Sequence, residues 1–171
     1  KLKLGILGCG RVCEHYIEKI LIPERVGDLY DVVACCDVDP KKSKYVAERF
    51  SCKAFNDIEE FIQYESIEVV VVLTKSGQHY EHSKICLSNH LNVIVEKPLS
   101  LRVEHAEELI RISSKTGKFC ASIFQNRLNP AVEITKKAFK NNRFGNLVSV
   151  SVRLRWCRLQ EYYNDGWHGT W

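Results

Sequence analysis

The chain has 171 residues, 45% hydrophobic and 27% charged, enough for one full domain and the start of another. Its net charge of +4 comes from interspersed acids and bases with no aromatic-laced basic stripe, which argues against a nucleic-acid partner. No apolar run approaches the ~20 residues that cross a bilayer, and the N-terminus opens on a strand-like run rather than a signal peptide. Eight cysteines, mostly inside apolar runs and without a C-x-x-C pair, read as buried free thiols of a cytoplasmic protein rather than zinc ligands or a disulfide framework.

Leu2–Leu7 is the first expected strand, and Val12–Ile22 a helix with Val12, Tyr16 and Ile20 on one face. Asp31–Cys36 is a second apolar run. Asp39-Pro40 has the form of an N-cap with proline in the first turn, opening a helix to about Phe50. Lys53–Phe55 is a short strand and Asp57–Tyr64 a short helix. Glu68–Leu73 (EVVVVL) is apolar almost throughout, as in parallel strands covered on both faces. A helix over His79–Asn89, a strand over Asn92–Glu96, a helix over Arg102–Lys115 and a strand over Lys118–Phe124 follow. Strand and helix alternating in this way predict βαβ units and a doubly wound parallel sheet.

The pattern changes at residue 125. Asn129-Pro130 caps a helix to about Asn141. Asn146–Leu159 then alternates, with Val148, Val150, Val152, Leu154 and Trp156 on one side. This predicts a long half-buried strand of a mostly antiparallel sheet. Residues 1–124 are therefore expected to form one α/β domain. Residues 125–171 are expected to begin a second, α+β domain for substrate and oligomer contacts, truncated at Trp171.

Between the first strand and the first helix stands Gly8-Cys9-Gly10-Arg11-Val12-Cys13, one residue short of the G-x-G-x-x-G/A dinucleotide fingerprint. Gly8 permits the tight turn, Gly10 lets the backbone approach a pyrophosphate, and the helix from Val12 aims its amides at the phosphates. Cys13 replaces the third glycine. Asp37 closes the second strand, 27 residues past Gly10, with the insert Leu21–Tyr30 explaining the long spacing. An acid there can hold the adenosine ribose hydroxyls and repel the phosphate of NADP, so NAD is favoured over NADP. Asp37 could equally cap the following turn, and Lys41 and Lys42 weaken the electrostatic argument.

Glu96-Lys97-Pro98 follows the strand at 92–96, at the sheet edge where open α/β folds place ligands. With GCGRV at 8–12, CDVDP at 36–40, VVVLTKSGQH at 71–79, VEKPLSL at 95–101 and QNRLNPAV at 125–132, the chain resembles the Gfo/Idh/MocA family along essentially all of its length. That resemblance implies a Rossmann domain and NAD-dependent oxidation of a sugar hydroxyl. It implies that Lys97 is catalytic and touches both cofactor and substrate. It places Gly8, Gly10, Arg11, Val12, Asp37, Thr74, Ser76, His79, Glu96, Arg127 and Trp167 at the cofactor, and Gln125 and Asn126 at the substrate. The chemistry of the position agrees: a lysine can steady the alkoxide that develops as hydride leaves. Gln125, Asn126 and Arg127 could also be no more than a polar loop before the helix cap. No metal is expected, since His79 and His82 lack a carboxylate or cysteine to complete a set.

The segment WCRLQEYYNDGWHGTW at 156–171 resembles the branch that oxidises UDP-N-acetylglucosaminuronic acid at C3 for bacterial surface polysaccharides. His168 stands where that motif more often has arginine. Arg153, Arg155 and Arg158 could meet an anionic sugar nucleotide, a subunit interface or solvent. The resemblance implies a homo-oligomer built through the C-terminal sheet. It also implies a catalytic histidine beyond Trp171, in a motif that His168 does not match. The alternative to an enzyme is a non-catalytic module binding NAD(H) or a sugar nucleotide on the same fold.

Overall fold

The computed structural model describes residues 1–19 and 28–164. Six strands, β1 (Leu2–Leu7), β2 (Tyr30–Cys36), β3 (Lys53–Phe55), β4 (Val69–Val72), β5 (Asn92–Val95) and β6 (Cys120–Ser122), form one sheet in the order β3-β2-β1-β4-β5-β6. Every pairing is parallel. β1 lies between β2 and β4, so successive connections leave it in opposite directions. A crevice opens at such a switch point, beyond the carboxyl ends of the strands.

The helices are α1 (Arg11–Lys19), α2 (Pro40–Phe50), α3 (Ile58–Ile62), α4 (His79–Ser88) and α5 (Val103–Thr116). β4 shows how they are shared between the faces. Val70 and Val72 pack with Phe61, Ile62, Leu87 and Leu109 from α3, α4 and α5. Val69 and Val71 pack with Cys13, Tyr16, Ile17 and Val46 from α1 and α2. Alternate residues of a strand point to opposite faces, so a strand covered twice must be apolar throughout. Gly5 in β1 has a packing reason of its own: a Cβ there would stand 2.7 Å from the Phe61 ring.

Short-range chemistry starts the helices. The Asp39 carboxylate accepts from the Lys41 amide at α2, with Pro40 in the first turn. Asp57 accepts from the Glu59 and Glu60 amides at α3. The first helix begins at Arg11, and the expected reach to Ile22 extends outside the described residues.

The cysteines are free. Burial pushes the Cys36 and Cys86 thiols up to about 12 and Cys120 to about 11. The Cys13 and Cys35 thiols, together with burial, hold Cys9 far above the usual thiol range. A thiol near 12 is about 1 part in 10,000 thiolate at pH 8. Hydrogen bonds to Cys52 and Cys9 instead pull the Cys35 thiol down, but Cys35 is 0% exposed, so native protein titrated with Ellman's reagent at pH 8 should give one fast equivalent, from the exposed Cys157. The others should react only after denaturant is added. Three or more fast equivalents would contradict the packing.

The chain divides into two compact units, Lys1–Ile123 and Phe124–Trp171. In the second, a 3-10 turn (Gln125–Leu128) precedes α6 (Pro130–Lys140), whose cap Asn129 accepts from the Ala131 amide. The strand expected over Asn146–Leu159 is not formed. Residues 146–159 lie in no strand or helix, and Val148 is 96% exposed. Alternation assigns side chains to faces, but a strand also needs a neighbour to take its amides and carbonyls. No ladder partner for this segment occurs among the described residues. None of the described helices is long and apolar enough to cross a membrane.

Candidate functional site

β1 ends at Leu7 and the chain turns at once. Gly8 has φ +97°, and a Cβ there would stand 2.8 Å from the Leu73 carbonyl carbon and the Thr74 nitrogen. Both the backbone angle and the close approach of the next loop require glycine. Gly10 differs, since nothing lies within 4 Å of where its Cβ would be. The fold leaves that space open beside the start of α1, where the Glu14 amide donates to the Gly10 carbonyl at 3.1 Å. An open glycine at a helix N-terminus suits a pyrophosphate. Arg11 is exposed at the start of α1, and Val12 is half-buried against the core. Cys13, in the third-glycine position, is fully buried.

Asp37 stands just past β2. Its carboxylate accepts from the Cys9 amide at 2.8 Å and from the Asp39 amide at 2.9 Å. Its carbonyl accepts from Asn56 Nδ2 at 2.8 Å, and that same nitrogen reaches Ser43 Oγ. The turn-capping role is therefore real. It does not exhaust the carboxylate, since each oxygen offers a second lone pair. Val38, 90% exposed, follows immediately and gives an apolar surface beside the acid.

Beyond β4 come Thr74, then the 3-10 turn Ser76–Gln78 holding Ser76, then His79 at the head of α4. His79 is 2% exposed. Its Nδ1 lies 2.7 Å from the Pro98 carbonyl oxygen and its Nε2 2.9 Å from the Thr74 carbonyl oxygen. Both nitrogens are engaged with backbone, which removes His79 from any metal set. Thr74 Oγ1 meets His82 Nδ1 at 2.9 Å. Burial, then His79, lowers the His82 pKa, which favours the neutral ring.

Beyond β5 stand Glu96, Lys97 and Pro98, with a cis peptide between the last two. The Lys97 side chain is exposed. Glu96 faces inward: its Oε1 accepts from Tyr16 Oη at 2.6 Å and its Oε2 from the Lys97 amide at 2.9 Å. Burial, and then the Glu96 carboxylate, push the Tyr16 pKa up, which keeps the hydroxyl a donor. Among the described residues no group of three or more His, Cys, Asp or Glu could hold a metal ion.

The carboxyl edge of the parallel sheet thus gathers Gly8, Gly10, Arg11, Val12, Asp37, Thr74, Ser76, His79, Glu96 and Lys97 into one region. Gln125, Asn126 and Arg127 belong to the second unit. They are exposed on its first turn, with the Arg127 guanidinium 5.4 Å from the Phe124 ring centre. Trp167 and His168 lie outside the described residues. Tyr16 and Asn56 are the polar partners that sequence reasoning missed. A tyrosine on the apolar face of a helix must place its hydroxyl somewhere, and that was the signal for Tyr16.

Residues 2–124 match the oxidoreductase family with an NAD-binding Rossmann fold. The chain belongs to the Gfo/Idh/MocA family. Its NAD-binding Rossmann domain carries the glycine loop, the acid after β2 and the Glu96-Lys97-Pro98 turn described above. The chain is similar to the WlbA dehydrogenase from Chromobacterium violaceum, solved in complex with NADH and UDP-GlcNAcA. The TM-score is 0.93 and the identity 30%, over 100% of this chain and 49% of that one. It is also similar to glucose-6-phosphate 3-dehydrogenase from Bacillus subtilis, 24% identical over 90% of this chain and 42% of that protein. A relative of another kind is the galactose/lactose metabolism regulatory protein GAL80 from Kluyveromyces lactis, 28% identical over 85% of this chain and 32% of that protein. The chain spans less than half the length of each of these three.

Proposed function

We propose that this protein oxidises a sugar hydroxyl to a ketone in an NAD-dependent reaction, acting on a nucleotide sugar of the UDP-N-acetylglucosaminuronic acid type at C3. The observation that carries the reading is the exposed Lys97, beside the switch-point crevice of a chain similar over its whole length to a dehydrogenase solved with NADH and that sugar nucleotide. NAD, when bound, supplies the hydride acceptor. Gly8 and Gly10 shape the phosphate loop, the α1 amides take the pyrophosphate, and Asp37 takes the adenosine ribose. Thr74, Ser76 and Glu96 border the nicotinamide half. The Lys97 ammonium donates to the substrate oxygen and favours its alkoxide as the C–H bond weakens, the hydroxyl proton passing to water and the hydride to NAD. Residues 125–171 begin a second domain, with Gln125, Asn126 and Arg127 exposed on its first turn and a sheet that joins subunits. The exposed apolar side chains over 147–159 support such a partnered surface. Buried free thiols fit a reducing cytoplasm.

Cofactor choice gives the most direct test. Tryptophan fluorescence should show tighter binding of NADH than of NADPH. Asp37→Ser should shift that ratio several-fold toward NADPH, because a carboxylate facing a 2′-phosphate is lost. A ratio carries the test because loosening of the Cys9 loop weakens both nucleotides alike. An unmoved ratio would remove Asp37 from the ribose site.

The similarity to a regulatory protein favours a second reading, a module that binds the dinucleotide without turning it over. NADH binding without any reduction of NAD in the presence of UDP-N-acetylglucosaminuronic acid would favour it.

A further inference from the structure

Lys97 is the exposed end of a turn that two buried side chains hold from two different helices. Tyr16 lies in α1, 80 residues away in sequence, and is 6% exposed. Its hydroxyl donates to Glu96 Oε1, while Glu96 Oε2 accepts from the Lys97 amide. One carboxylate therefore links the phosphate-loop helix to the backbone of Lys97. On the other side His79, from α4, sits against the Pro98 carbonyl and spans to the Thr74 carbonyl. Carbonyl oxygens only accept, and either tautomer of the ring carries a hydrogen on one nitrogen, so the ring donates to at least one of the two. Lys97 is thus bracketed, its amide fixed through Tyr16 and Glu96 and the next residue fixed through His79. The two anchors belong to opposite faces of the sheet, since Tyr16 packs with Val69 and Val71 and α4 packs with Val70 and Val72.

We propose that Tyr16 and His79 are positioning residues for Lys97, setting where its ammonium is held without touching substrate themselves. The proposal rests on the reading of Lys97 given above. A surface lysine with no task needs no such bracing. Two hydrogen-bonded chains converging from separate helices on the backbone that carries one exposed side chain are what accurate placement of a reacting group demands. The helix that follows the glycine loop also reaches the Lys97 turn through this route, which ties the two ends of the crevice into one frame.

The test compares purified wild-type protein with Tyr16→Phe, Tyr16→His and His79→Gln. Tyr16→Phe keeps the ring in the core and removes one hydroxyl, so the fold should survive it. Three quantities are read: NADH affinity, kcat with UDP-N-acetylglucosaminuronic acid, and amide hydrogen exchange at Lys97. Tyr16→Phe should lower kcat by about 10-fold with NADH affinity held, and His79→Gln should lower kcat by about 10-fold as well. Exchange at Lys97 should quicken by about 10-fold while Val93 and Val95 in the strand are unchanged. Tyr16→His, which can still donate, should recover part of the kcat. Melting temperature and NADH affinity falling in proportion to kcat would overturn the proposal, because that is the mark of a structural defect. Unchanged exchange at Lys97 in both variants would overturn it as well. If wild-type protein turns over no sugar nucleotide, the proposed reaction fails, and exchange at Lys97 by itself decides whether the anchors hold that turn.

Discussion

Gly8→Ala should lower the melting temperature by about 10 °C and abolish NADH binding at micromolar protein. Two costs combine. The φ of +97° is strained for alanine, and the new Cβ would press on the Leu73–Thr74 peptide at 2.8 Å, with no flexible side chain to yield. Strain of this kind and overpacking are each worth about 1–3 kcal/mol, and together they correspond to the expected shift for a chain of this size. Gly10→Ala provides the contrast. Its Cβ meets nothing in the folded chain, so the melting temperature should hardly move. Binding should still be lost, because the methyl enters the space where the proposed site holds the pyrophosphate. Calorimetry and a fluorescence titration separate the two cases. A Gly10→Ala protein that binds NADH normally would mean that the pyrophosphate lies elsewhere.

Lys97→Ala should reduce turnover of UDP-N-acetylglucosaminuronic acid by about 100- to 1,000-fold, the usual cost of removing one preorganised donor to a developing oxyanion. The side chain is exposed, so the fold should lose almost nothing. NADH affinity should stay within about twofold, since the proposed role has the interaction made as charge develops on the sugar oxygen rather than in the resting complex. Stopped-flow absorbance at the nicotinamide band would read the hydride step itself. A matched loss of NADH affinity and turnover would make Lys97 a cofactor ligand and nothing more.

Much of the frame is legible in short stretches of sequence because its causes are local. Asp39, Asp57 and Asn129 announce helix starts by offering an acceptor to the amides that follow. Val69–Val72 announces a strand covered on both sides. The glycine loop and the Lys97 turn are readable because their chemistry lies within a few residues. Cys13 reads as a substitute for glycine, and it is small enough to be fully buried there. What was not legible depends on distance along the chain. No local pattern shows that Tyr16 reaches Glu96, or that both nitrogens of His79 are engaged by carbonyls in two separate loops. The segment 146–159 shows the converse limit. Its alternation is unmistakable, yet periodicity names no partner, and a strand is a relation between two segments.

The Asp37 carboxylate draws the Cys9 amide and the Asp39 amide together through bonds made wholly within the chain. A dinucleotide arriving at this edge therefore meets a finished socket, and little entropy is left to be surrendered by the protein on docking. Variants that weaken nucleotide binding here should act on how long the complex lasts rather than on how fast it forms.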